Sequence, residues 1–231
     1  MIKLELHAMN KLLLVITLTV AVLGLSSACR HMGKGVQGSG VRKTEKRDLG
    51  TFTSIQTTGA YEVVVTCQQA ASFEIEGDDN ILPLIRTYVV GNVLHISNDS
   101  GYHTSKPIVV RISVADLEGI SSTGAGDIVL RDVKNEKLTI GSTGAARIEA
   151  SGQTNFVTIS STGAGKVDAE KLHAMSAKVT VTGAGSVNVY ATQELNATVS
   201  GVGQITYAGD PPVVNKTVSG VGSINKKQTG V

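Results

Sequence analysis

Two carboxylates, Glu149 and Asp168, stand 19 residues apart, and each follows a cation by two places, Arg147 and Lys166 respectively. If those stretches lie on neighbouring strands, the carboxylates come about 5 Å apart, the spacing of the acid pair in a retaining glycosidase. The same stacking sets Arg147 and Lys166 beside them. Four alternating charges in solvent are satisfied by one another and by water before they act on a substrate. The outward column that begins with Asp127 continues through Arg147, Lys166, Ser186, Gln204 and Ser223. The column two places further on runs Val129, Glu149, Asp168, Asn188, Thr206, Asn225. A cleft that cleaves polysaccharide needs several carboxylates or bases converging on one point, and these columns change character from copy to copy. Arg147, Glu149, Lys166 and Asp168 are therefore expected to form a ligand-binding patch, with no catalytic residue assigned.

Other reactive residue types are sparse. The five histidines, His7, His31, His95, His103 and His173, show no ligand spacing, and no Ser/His/Asp or Cys/His order emerges. No metal and no cofactor are expected. The Gly-rich copies lack the recurring Asp of a calcium-binding repeat. Gly33-Lys34-Gly35-Val36-Gln37-Gly38 has the form of a dinucleotide fingerprint, yet no strand precedes it and a charged stretch follows, so it reads as linker. Asn196-Ala197-Thr198 and Asn215-Lys216-Thr217 are formal glycosylation sequons, expected to be idle. Cys67 lies in an alternating run, Glu62 to Cys67, and reads as a small core residue. With 21 Lys and Arg against 19 Asp and Glu, the net charge is +2, and aromatic residues are 3%. Neither a basic face nor a stacking platform for nucleic acid is in view.

The stretch from Met1 to Ala28 reads as an export signal. Lys11 precedes an apolar run from Leu12 to Leu25, and small residues Ser26, Ser27 and Ala28 lead into Cys29. The run is shorter than the roughly 20 residues of a spanning helix. The Cys after small residues resembles the lipobox of bacterial lipoproteins, which implies that Cys29 is acylated and anchors the mature chain in a membrane. Met9 makes a cleaner signal start than Met1. Residues 29–47, rich in glycine and charge, are expected to be a flexible tether, with the folded domain at 48–231.

What organises that domain is repetition. Six related segments, STGAGDI, STGAARI, STGAGKV, VTGAGSV, VSGVGQI and VSGVGSI, place their first glycines at Gly124, Gly144, Gly163, Gly183, Gly201 and Gly220, spaced 20, 19, 20, 18 and 19 residues apart. Gly126, Gly165, Gly185, Gly203 and Gly222 are the second glycines, and Thr57-Thr58-Gly59-Ala60-Tyr61 looks like an earlier, degenerate copy. Short alternating runs such as Val157-Thr158-Ile159 precede each corner, and runs such as Val167-Asp168-Ala169 follow it. A fixed period of this length means stacked like units. The expectation is an all-β fold: a single-stranded, right-handed parallel β-helix, or β-solenoid, of about 19 residues per coil. The glycines supply backbone angles closed to other residues. The residue between them (Ala125, Ala145, Ala164, Ala184, Val202, Val221) is expected to point inward. The Thr or Ser before them (Thr123, Thr143, Thr162, Thr182, Ser200, Ser219) should form a hydroxyl ladder bonded from coil to coil. The interval from Gly59 to Gly124 leaves room for three periods plus inserted loops.

The closing Val-Ser-Gly-Val-Gly-Ser-Ile, with Phe52-Thr53-Ser54-Ile55, Gly77-Asp78-Asp79-Asn80 and Leu94-His95-Ile96, resembles the bacterial DUF2807 family, the head or GIN domain of auto-transporter adhesins, over roughly residues 48–226. The resemblance implies a β-helix-like fold on a secreted or lipid-anchored protein and brings no catalytic residues. The leading expectation is a lipid-anchored, outer-membrane protein that presents an adhesin-like surface to a glycan or envelope protein partner. A carbohydrate-active β-helix and a structural envelope protein, self-associating through flat faces or open end strands, are the alternatives.

Overall fold

The computed structural model describes residues 35–228, so the export signal and Cys29 lie outside the described residues. Strands make up nearly all of it, in one 15-stranded sheet and one two-stranded pairing. The sheet coils into a β-solenoid of about 20 residues per turn. The corner glycines stack in register: Gly59 on Gly124, then Gly144, Gly163, Gly183, Gly201 and Gly220. From corner to corner the chain is nearly continuous strand, as in Asp127–Gly144, Arg147–Gly163, Lys166–Gly183 and Ser186–Gly201. The two short strands per coil expected from sequence are thus one long strand, bent where the register shifts, as between Leu130 and Val133.

Inward positions carry stacked aliphatic columns. Ile120, Ile140, Ile159, Val179 and Ala197 form one, and each is at most 2% exposed. Such burial contributes about 1.5–3 kcal/mol for each larger side chain, repeated coil after coil. The first glycine of every corner has positive φ, +105° at Gly183 and +137° at Gly124. An added Cβ at Gly183 would also lie 2.8 Å from the Gly163 carbonyl oxygen, so angle and space both demand glycine. The second glycines answer to space alone. A Cβ at Gly203 would lie 2.5 Å from Val181 Cγ1, and one at Gly185 would lie 3.0 Å from Ser161 Oγ.

The residues between the glycines do not point inward as expected. Ala125, Ala145, Ala164, Ala184, Val202 and Val221 are all exposed, while Gly126, Ala146, Gly165, Gly185 and Gly203 are buried. Inside–outside alternation runs straight through the bend, and the second glycine takes the inward place. The Thr and Ser column is in register but faces water, and among the described residues no hydrogen bond joins one of its hydroxyls to the next. A second, unforeseen hydroxyl column lies inside. Ser122, Ser142 and Ser161 are buried, stacked in register and without a side-chain partner. They stand where the later coils have Val181 and Val199.

The chain between Gly59 and Gly124 does not make successive coils. Gly119–Gly124 stacks on one side of Ser54–Gly59, and Val93–Asn98 stacks on the other. Ile108–Ser113 likewise lies against Tyr61–Thr66. One extra layer is therefore inserted out of order beneath the first. Antiparallel strands close that end: Ile85–Val90 on Val93–Asn98, Ser72–Asp78 on Ile108–Ser113, and Arg42–Lys46 on Ser72–Asp78. Among the described residues one short 3-10 turn, Leu82–Leu84, is the only helical element.

The stretch expected as tether through Arg47 thus belongs to the fold from Val36 onward. Val36–Gln37 pairs with Tyr102–His103, and the Gly77-Asp78-Asp79-Asn80 loop grips the arm. Asn80 Oδ1 accepts from Ser39 N at 2.9 Å, its Nδ2 donates to Gln37 O at 2.8 Å, and Asp78 Oδ2 accepts from Gly40 N at 3.2 Å. Asp78 is buried, with Arg42 Nη1 3.6 Å away.

Glu76 holds three strands together. Arg111 donates to its Oε2 at 3.1 Å and Arg42 to its Oε1 at 3.2 Å. These bonds, Arg111 first, hold its carboxyl below the ordinary value of 4.5. A carboxylate lowered by folding stabilises above its unfolded value and loses that contribution as pH falls through the folded one. Unfolding followed at a series of acid pH values should therefore show stability dropping below about pH 4.5, with a shallower drop in Glu76→Gln. An equal slope in the variant would remove Glu76 from the account.

Candidate binding surface

The strand that leads into each corner turns three outward columns to solvent. Nearest the corner stand Thr58, Thr123, Thr143, Thr162, Thr182, Ser200 and Ser219, all exposed and in register. Two places back come Gln56, Ser121, Gly141, Ser160, Thr180, Thr198 and Thr217. Both columns are free of charge through these seven layers. The third, from Gly119 and Thr139 through Thr158 and Lys178 to Asn196 and Asn215, holds one cation. Asn215 Nδ2 donates to Asn196 Oδ1 at 2.9 Å, so the residues of the two sequons form a side-chain ladder. Neighbouring rungs lie about 4.8 Å apart and neighbouring columns about 6.6 Å. The result is a flat lattice of hydroxyls and amides. Gly119 and Gly141 dent it, and a groove of about 780 Å³ opens there between Gln56, Glu118, Asn135 and Lys137.

The patch proposed from sequence lies on the strand that leaves the corner. Glu149 and Asp168 are register partners, as are Arg147 and Lys166. The four do not act as one cluster. Arg147 turns to Asp127 of the preceding coil, 3.9 Å away with both side chains more than half exposed. The carboxylates instead line a groove of about 610 Å³ with Glu170, Lys171 and Lys227. Asp168 Oδ1 accepts from the Glu170 backbone N–H at 3.3 Å, and its Oδ2 accepts from Asn188 Nδ2 at 3.5 Å.

A third region was not singled out from sequence. On the returning strand Lys134, Gln153, His173 and Tyr190 form an outward column, and the rings of His173 and Tyr190 stack at 4.6 Å and 19°. The interval from His173 to Tyr190 is shorter than the repeat period and so does not show in it, because a register shift between Ala169 and His173 brings the two together. Cys67 is buried and free, and burial, helped by Asp116 and Asp132, pushes its thiol up to about 11. At neutral pH it is an inert core group. Among the described residues no three His, Cys, Asp or Glu side chains gather as a metal site, and no helix is long and apolar enough to cross a membrane.

The fold thus defines a class of protein, a β-solenoid with broad polar faces and shallow grooves. The family described as "Putative auto-transporter adhesin, head GIN domain" (DUF2807) matches residues 51–211, and the chain belongs to that family. A putative adhesin from Bacteroides fragilis of known structure is 25% identical, with a TM-score of 0.68 over 84% of this chain and 100% of that one. A putative adhesin from Parabacteroides merdae shares the fold at 20% identity and TM-score 0.56, over 84% of this chain and 99% of that one. A putative lipid binding protein from Parabacteroides distasonis does so at 20% identity and TM-score 0.52, over 84% and 100%. None of the curated proteins matches the sequence.

Proposed function

We propose that this protein is a lipid-anchored adhesin of the bacterial outer membrane, held through acylated Cys29, which binds glycan without catalysis. The observation that carries the reading is the lattice, chiefly of Ser and Thr, in which two adjacent outward columns stay uncharged through seven layers. A flat, uncharged face of hydroxyls gains little from one contact and much from many. A polymer of hydroxyl-bearing sugars offers such contacts in series, and several anchored copies multiply them. Family membership supports a role at the cell surface.

The test combines anchor and face. Acyl labelling of the protein in cells should be lost in Cys29→Ser. Binding of the purified protein to immobilised neutral glycans should fall about tenfold in a Thr162→Lys, Thr182→Lys double variant. Both sites are exposed, so the unfolding midpoint should stay in place. Unchanged glycan binding in that variant would overturn the assignment of the face. Turnover of a polysaccharide, abolished by Glu149→Gln or Asp168→Asn, would replace the reading with an enzymatic one.

A further inference from the structure

A pocket lies away from the hydroxyl lattice, around Tyr190. His173, in the preceding coil, covers one face of the Tyr190 ring. The other face looks toward the next coil, where the register partner is Ala208. Gly209 follows with φ +87°, and a Cβ there would collide with the Ala191 carbonyl oxygen. Ala208 offers the ring only a methyl group and Gly209 no side chain. A pocket of about 530 Å³ opens against it, within the size range of small-ligand sites.

The pocket's rim is charged. Lys226 pairs with Asp210 and Lys227 with Glu170, whereas Lys171 makes no ion pair among the described residues. Within this pocket three lysines face two carboxylates, which leaves Lys171 without a partner there; Lys171 also borders the groove that Glu149 and Asp168 line. An aromatic face bordered by hydrogen-bonding groups matches a ring that is apolar on its face and polar around its edge. A pyranose is such a ring, and the surplus ammonium calls for an anionic substituent on it.

We infer that the Tyr190 pocket binds an acidic sugar, a hexuronate unit of a polysaccharide, with its ring on Tyr190 and its carboxylate at Lys171. This goes beyond adhesion through the neutral lattice, because the site lies on another stretch of each coil and selects by charge.

Calorimetry of the purified protein with trigalacturonate, and with neutral maltotriose and adenosine monophosphate as comparisons, tests it. Trigalacturonate should bind, and added salt should weaken it. Tyr190→Ala and Lys171→Gln should each lower its affinity about tenfold, while Tyr190→Phe should retain it. Lys171 is exposed, so its variant reads binding without disturbing the fold. The Thr162→Lys, Thr182→Lys protein should still bind trigalacturonate, which separates this site from the lattice. Absence of binding, insensitivity to both Tyr190→Ala and Lys171→Gln, or equal affinity for maltotriose or adenosine monophosphate would overturn the proposal.

Discussion

Gly183→Val should lose about 4 kcal/mol or more of unfolding free energy, while Ala184→Val, one residue on, should stay within about 0.5 kcal/mol of the parent. The contrast follows from the corner's construction. Gly183 sits at φ +105°, where a β-branched residue is a severe outlier, and strain of that kind costs about 1–3 kcal/mol. Its Cβ would in addition press on the Gly163 carbonyl at 2.8 Å. That carbonyl already accepts the Ala184 N–H at 2.8 Å, so relieving the clash breaks the bond that stacks one coil on the next. Ala184 faces water, and the later coils already carry Val202 and Val221 at its position, 59% and 82% exposed. Urea midpoints of the two variants against the parent check this. Equal midpoints would mean that the corner is far more compliant than its backbone angles imply.

That pair of neighbours also marks how far the sequence could be read. Period and fold class follow from spacing alone, since equal intervals can be satisfied only by coils in register, whereas the direct stacking of Gly59 beneath Gly124 did not follow, because the long interval between them suggested three intervening periods. The direction of Ala125 and its counterparts did not follow, because an apolar residue in a narrow corner suggests an interior place. Alternation held instead: with Thr123 outside, Gly126 had to be the inward residue. The strand Arg42–Lys46 was hidden by its own charge. Arg42, Lys43, Glu45 and Lys46 look like linker, yet charge is what a sheet's edge strand carries to stay free of unwanted partners. The out-of-order layer at Val93–Ser113 left no trace in the periodicity, because pairing on the near or far side of a coil needs the same alternating pattern. Of the binding surface, the carboxylate neighbours Glu149 and Asp168 were legible from the repeat interval. The Tyr190 pocket was not, because a register shift creates the His173 stack and two small residues in the following coil leave the ring open.

The carboxyl-terminal end bears on whether the solenoid stays apart from its neighbours, and Lys216→Val is expected to make it associate. Among the described residues, the amino-terminal end is covered by antiparallel strands, whereas the last coil, Val213–Gly220 and Ser223–Lys226, pairs on one side only. A bare parallel edge with apolar inward positions is a template for another chain. Val218, heir to the Val181 and Val199 column, is already 45% exposed there. Lys216 occupies the next inward column, in register with Ala197 above Val179. Its ammonium lies 4.8 Å from the centre of the Tyr207 ring and donates to the Ile224 carbonyl at 3.3 Å. A second solenoid docking on this edge would have to bury that charge, at a cost of several kcal/mol. Valine removes the penalty and joins Val218 in a continuous apolar strip. Sedimentation velocity should then show Lys216→Val moving to larger species with rising concentration, while Lys178→Val, an outward change two coils back from the edge, keeps the parent's profile. If the two variants sediment alike, Lys216 is not what keeps the end closed.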